Sequence, residues 1–490
     1  MQSLVSRSVS APAARQQEPF ARVAPVIGTA LLLGASGGFA LAAILTLTRL
    51  LRVPLGPWWV ALAQAHGHLQ IYGWAGLFVL GVAFHFLPRM RGAPLAFPRL
   101  VPWIVALQAA SLLLRTVSQP LMAAASESLS DLWRAGLLVS GALEVLALLG
   151  AVALIAATVV RGPALASRPA LRSVLPFIAV AFVCLALASV INAANLITLA
   201  VSPRSAASVI PEPGDALDVT LGLFGFLMPM ALAMSARSLP MYAGLEAFPK
   251  RLLWPLAYTY AGGLALTLIG ALSTGGPAGA WSARLGGMGM ITIGSVLCLF
   301  VAAFMRVMRT RGRLPRRVAT LAPDAGAAAQ NYRSHITNER GGYGPFVALV
   351  ASAYLWAVFG GILLTLSGCW QVLGQSAPIP IDAPRHSLAL GFIALLICGV
   401  APRMLPGFSG GRILSPRLVA ATLWLGNGAA ALRVGSLLVT PVLAALGPGG
   451  ISLDTILFGL SGPLGLALAI CLAVNLWPAL KPAAHASNVI

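Results

Sequence analysis

Two histidines and two arginines recur at matched places in this chain. Residues 68–101 and 386–419, laid at a fixed offset of 318 with no gap, agree at 13 of 34 positions. The matches include His68/His386, Gly73/Gly391, Gly81/Gly399, Leu87-Pro88/Leu405-Pro406 and Pro98-Arg99/Pro416-Arg417, and the offset still pairs Arg115 with Arg433. An imidazole can ligate iron axially, and a guanidinium can clamp a carboxylate with charge-assisted bonds. His68 and His386 come early in their apolar segments, Arg115 and Arg433 late in the segments that follow, so all four lie near one depth. Two His across a flat macrocycle, with two Arg at its outward edge, make a haem-site layout. The repeat therefore predicts one haem b held between His68 and His386, with Arg115 and Arg433 on the propionates. A single intramembrane His often only packs helices, and an Arg near a helix end often snorkels. Four such residues at matched positions and one depth favour a cofactor, because ionisable groups in a bilayer need partners.

Other side chains invite narrower readings. His66 is two residues from His68 and on a helix points about 200° away from it, which frees it to ligate something else or to bond a loop. His85 falls about 25 Å along the same helix, too far to share the haem site, and its repeat partner is Arg403. The run Met228, Met230, Met234 offers soft ligands for copper as Cu(I), although such methionines more often pack. Glu144 lies inside an apolar segment, where a carboxylate is paired, protonated or part of a proton route; Asn192, Asn195 and Asn427 could line the same interior. The five cysteines lack C-x-x-C spacing and read as packing residues. His335 and His485 lie in polar stretches and are assigned nothing.

The elements that position these residues are membrane helices. Of 490 residues, 58% are hydrophobic and 9% charged, with a mean hydropathy of +0.88, against roughly 25% charge in soluble domains. Runs of about 20 apolar residues span a bilayer. Twelve can be placed, near 24–50, 62–88, 99–118, 133–160, 172–200, 217–240, 252–273, 283–308, 345–370, 384–406, 417–440 and 453–479. A weaker third copy of the repeat, 223–252, keeps the glycine/aromatic opening and Leu239-Pro240, with Thr220 at the histidine position. The expected fold is thus an all-α membrane protein of twelve helices in three arcs of four, about 24–160, 172–308 and 345–480. Repeats of this kind place binding sites at their interfaces.

The net charge of +20 would raise nucleic acid as a partner in a soluble chain. Here Arg collects at the start and in alternate loops, which fits a cytoplasmic lipid surface and puts both termini in the cytoplasm. Residues 1–23 read as a flexible cytoplasmic lead, 310–343 as a cytoplasmic linker and 481–490 as a tail.

The arrangement resembles subunit I of haem-copper oxidases and nitric oxide reductases, where a His of helix 2 and a His of helix 10 hold a low-spin haem. That resemblance offers His66 or His68 as the helix 2 ligand, and the internal repeat favours His68. A closer likeness is to the NnrS family, membrane proteins described as containing haem and copper and linked to denitrification and nitric oxide stress. His66-Gly67-His68 with Tyr72-Gly73-Trp74 is similar to its H-A-H-E-M-x-F-G-F opening, Ser235 to Pro240 to its G-G-R-V-I-P, and His386-Ser387-Leu388 with Arg403 to its H-A-L-T and later Thr-Arg. The oxidase pattern is broken elsewhere. Helix 6 has Asp218 and Thr220, no His-His pair occurs, and Pro384 stands where a second helix 10 His belongs. The binuclear oxygen-reducing centre and its proton pumping are therefore expected to be missing.

The resemblance implies a bacterial inner-membrane protein of nitric oxide metabolism or tolerance. It would either pass electrons through a bis-His haem, from a quinol or cytochrome donor, or bind nitric oxide after one His leaves the iron. Whether this makes it an oxidoreductase stays open at this point. Two other classes compete: a secondary transporter, and a non-catalytic sensor or assembly factor for haem or copper.

Overall fold

With no water in the bilayer core, the backbone of an apolar run must satisfy itself as helix. The computed structural model describes residues 20–124, 127–203, 208–272, 276–320 and 323–481. Among them it holds twelve helices long and apolar enough to cross a membrane. They are span 1 (Ala24–Leu50), span 2 (Pro57–Arg91), span 3 (Pro98–Ala123), span 4 (Leu129–Arg161), span 5 (Pro169–Val201) and span 6 (Glu212–Arg237). The second half has span 7 (Lys250–Leu272), span 8 (Gly279–Met308), span 9 (Phe346–Val372), span 10 (Asp382–Ser409), span 11 (Pro416–Thr440) and span 12 (Ser452–Leu480).

Burial separates centre from rim. The apolar core of span 2 is 94% buried, that of span 6 83% and that of span 10 72%, whereas the other nine are at most half buried. These three are the repeat-bearing helices, second in each arc. The rim closes because spans 4 and 5, 8 and 9, and 12 and 1 pack against each other across the arc boundaries.

Each central helix is wound as π-helix at the same register: Leu69–Ala75, Thr220–Leu227 and Ser387–Ala394. A fourth π-turn, Gly34–Gly38, lies in span 1. Such turns leave carbonyls outside the regular ladder and often mark functional sites. The glycines of the span 1 turn also admit span 2. A Cβ on Gly37 would stand 2.6 Å from Leu69 Cδ2, and one on Gly38 2.9 Å from Gln70 Cδ.

On the rim, spans 8 and 9 meet backbone to backbone. A Cβ on Gly287 would lie 2.7 Å from the Gly368 carbonyl oxygen, and one on Gly368 2.5 Å from that of Gly287. Small residues let membrane helices approach this closely, where dispersion holds them together. Backbone cannot swing aside as a side chain can. Gly287→Val should therefore destabilise the bundle by about 1–3 kcal/mol as an overpacked site, read as a lower Tm in detergent; an unchanged Tm would mean the two helices can part freely.

Part of the linker region is ordered. The helix Ala325–Tyr343 docks through Glu339, whose Oε1 accepts from Arg403 at 3.0 and 2.7 Å. Arg403 also lies over the Tyr343 ring, 5.0 Å from its centroid. At the same face His85 stacks on Phe408 with ring centroids 4.0 Å apart and meets Phe20 edge-on at 5.3 Å. This is the face at which span 1 begins, one span length from His68. The neighbouring Tyr242 follows span 6, and burial pushes its phenol up to about 12, so it stays protonated.

Candidate functional site

The histidines predicted to share one cofactor lie in two separate polar sites. In the first, His68 is clamped between carboxylates. Its Nδ1 is 2.9 Å from Asp218 Oδ2, and its Nε2 is 2.9 and 3.0 Å from the two oxygens of Glu144. Tyr72 donates to Asp218 Oδ1 at 3.0 Å and to the Asp218 carbonyl at 2.8 Å. Asn192 donates to Glu144 Oε2 and accepts from Arg115 NH1 at 2.5 Å. Arg115 also lies 3.9 Å from Asp218 Oδ2.

Five spans contribute to this cluster, spans 2 to 6, and its members are almost wholly buried: His68 3%, Glu144 1%, Asp218 3%, Arg115 2% and Asn192 0% exposed. A buried charge is tolerated only when paired and hydrogen-bonded. Two carboxylates here face the Arg115 guanidinium and the His68 imidazole. From Arg115 the network runs on to Gln119 at 3.2 Å, then to Gln64 at 2.8 Å. Gln64 makes two bonds to the Ile210 backbone, between spans 5 and 6, at 2.8 and 2.9 Å.

The second site contains His66 and His386, each within electrostatic range of Arg433. His386 also lies within range of His66 and Asp382. His66 Nδ1 bonds the Gly38 carbonyl at 2.8 Å, an oxygen supplied by the π-turn of span 1. His386 Nδ1 bonds the Asp382 carbonyl, also at 2.8 Å. Among the described residues no hydrogen bond engages Nε2 of either ring. A carbonyl at Nδ1 fixes the proton there, so each Nε2 is left as a lone-pair donor.

Two guanidinium groups flank the pair. Arg433 packs over Phe458, 4.4 Å from the ring centroid, and its NH1 is buried without a hydrogen-bond partner among the described residues. Arg385 NH1 lies 3.6 Å from Asp382 Oδ1, while its buried Nε lacks a hydrogen-bond partner among the described residues. Arg49 lies nearby, 3.3 Å from Asp454 and 4.7 Å from the centroid of the same phenylalanine.

The repeat-based expectation paired His68 with His386 and Arg115 with Arg433. The structure distributes them instead, His68 and Arg115 to the first site, His386 and Arg433 to the second. Threefold arrangement is the physical reason. Equivalent residues of copies related by rotation about an axis occupy equivalent sites, one in each arc, and do not face each other. Asp218 stands 152 residues after His66 and Thr220 152 after His68. His68 thus meets Asp218 of the next copy, and His386 comes within electrostatic range of His66, by one and the same rule. Of the three asparagines grouped with Glu144, Asn192 bonds it, whereas Asn195 bonds the Gly214 carbonyl and Asn427 meets Ser352 and Trp356. Tyr72, Gln64 and Gln119 were not singled out, although helical spacing of four links Gln64 to His68, His68 to Tyr72 and Arg115 to Gln119.

No family model and no curated protein matches the chain. Among solved structures, one described as a haem-copper terminal oxidase dimer aligns over 94% of this chain and 87% of its own, with 13% identity and a TM-score of 0.62. The chain has the haem-copper oxidase fold. At that identity the likeness concerns backbone arrangement, and the chemistry must be argued from side chains. Within this oxidase-like bundle, the described residues include no group of three or more His, Cys, Asp or Glu side chains placed to hold a metal ion. Met230 and Met234, raised as copper ligands, line an apolar cavity together with Met404.

Proposed function

We propose that this is a haem-binding membrane protein, with a haem b held by His66 and His386. The observation that carries the reading is the matched pair of imidazoles, each with Nδ1 on a carbonyl and Nε2 unengaged. The donor set fits the group: two neutral nitrogens for the axial positions, and buried unpaired nitrogens of Arg433 and Arg385 for two carboxylates. Held by His66 and His386, a haem would supply one-electron transfer or a site for a small gas. His68 does not fit an axial role, because both its nitrogens are already bonded.

The chain's own residues set how such a site behaves. The Gly38 and Asp382 carbonyls hold the two rings in orientation and raise their basicity as ligands. Arg433 and Arg385 place positive charge at the edge of the site, which favours the reduced or anion-bearing state of whatever lies there. The His68 cluster neighbours this site through Asp215, which is within electrostatic range of His68, Asp218, Arg115 and Arg385. In our reading Glu144 ends a proton route that enters near Ile210 and passes Gln64 and Gln119.

A role in nitric oxide metabolism or tolerance rests on the NnrS-like motifs around His66, Ser235 and His386. The test is the reduced-minus-oxidised optical spectrum of the detergent-purified protein, recorded before and after adding nitric oxide. Low-spin b-type bands that shift with nitric oxide are the expected result. Bands indifferent to nitric oxide would leave an electron relay, and a colourless protein after haem-sufficient expression would overturn the reading.

A further inference from the structure

The three central helices do not close completely on the axis. Past their π-turns they leave a cavity of about 90 Å³, walled by Val82 of span 2, by Met230, Ala231 and Met234 of span 6, and by Ile397 and Met404 of span 10. Its outer end reaches Ile393, seven residues beyond His386, or about 10 Å along a helix. Hydroxyls come only from Ser235 and Ser238, and Ser238 is turned onto the Met234 sulfur at 3.9 Å. The wall is otherwise carbon and sulfur.

Water enters a cavity when two to four polar groups receive it, and with Ser238 on sulfur this wall offers one, the Ser235 hydroxyl. Apolar cavities of such character stay dry and take up apolar guests, as an engineered cavity of about 150 Å³ takes benzene or xenon. A smaller void admits smaller guests. A void also forfeits dispersion energy along its lining, and here one larger side chain at Ala231 or Val82 would fill it. Methionine, flexible and polarisable, lets the wall adapt to a guest.

We propose that the axial cavity binds a small apolar molecule of the size of a diatomic gas. The binding site stands apart from the haem; only its use as a reservoir beside His66 and His386 rests on that reading.

The experiment is xenon binding to the full chain in detergent, by ¹²⁹Xe NMR titration and by diffraction from xenon-pressurised crystals. One saturable site on the axis is expected, lost in Ala231→Phe and, as a second variant filling the void from another helix, in Ile397→Phe. His386→Ala should bind xenon like the wild type, so failure of the haem reading and failure of the cavity reading are told apart. Absence of xenon from the axis in the wild type, ordered water in its place, or an undiminished site in folded Ala231→Phe would overturn the proposal.

Discussion

His66→Ala and His386→Ala should each abolish the low-spin haem spectrum, whereas His68→Asn should retain it. Each of the first two removes an imidazole whose Nε2 makes no hydrogen bond among the described residues. An axial ligand cannot be replaced by a neighbour here, because Gly38 and Asp382 hold each ring through a backbone carbonyl at 2.8 Å. The expected loss is essentially complete in both variants, at haem concentrations that saturate the wild type. His68→Asn takes one hydrogen-bonding side chain out of a different site, so its cost should appear in Tm while the bands keep their position. Arg433→Leu should sit between these extremes. It leaves both axial nitrogens but removes a charge-assisted partner, and removal of such outer partners typically costs 10–100-fold in metal-site affinity. The opposite pattern, with bands lost in His68→Asn and kept in His66→Ala, would restore the pairing of repeat-equivalent histidines and sink the site described above.

The architecture was legible because a bilayer imposes few solutions. Run length, the restriction to helices and the spacing of Leu-Pro and glycine marks each lead to twelve spans in three arcs, and the centrality of spans 2, 6 and 10 follows from their being the conserved element of an internal repeat. The residues were legible one by one: His68, Arg115 and Glu144 stand in a buried polar cluster, and His66, His386 and Arg433 in a half-buried one. Their pairing was not legible from the repeat alone. A twofold repeat brings equivalent residues face to face, while a threefold repeat sets each against a different position of the next copy. The offset that pairs His66 with Asp218 contained this, since it puts an acid opposite His68 and an imidazole opposite His386. The helix Ala325–Tyr343 inside the linker is not legible locally, because it docks through Glu339 meeting Arg403, a contact between residues 64 apart.

Glu144→Ala should cost the bundle about 3–5 kcal/mol, the usual effect of removing one member from a buried ionic group. The carboxylate receives His68 Nε2 and Asn192 and offsets the charge of Arg115 through Asn192. Its loss strands both donors at depth, where neither can reach water. Glu144→Gln keeps the volume and one acceptor, so the penalty should fall to about 1–3 kcal/mol, that of an imperfectly satisfied buried polar group. Charge balance then gives a sharper comparison. Arg115→Met alone leaves the two acids without their guanidinium, and Glu144→Gln alone leaves Arg115 facing a single acid. The double variant removes one charge of each sign, so its cost should be less than the sum of the singles, with a coupling of about 0.5–3 kcal/mol for residues in one network. Thermal melts of the four proteins in one detergent measure this cycle, and strict additivity would mean that the cluster is a set of independent hydrogen bonds. The same Glu144→Gln protein separates structure from function. If it keeps haem and fold but loses proton uptake on reduction, the carboxylate is part of a route; if uptake is unchanged, Glu144 serves only to hold spans 2, 4 and 5 together.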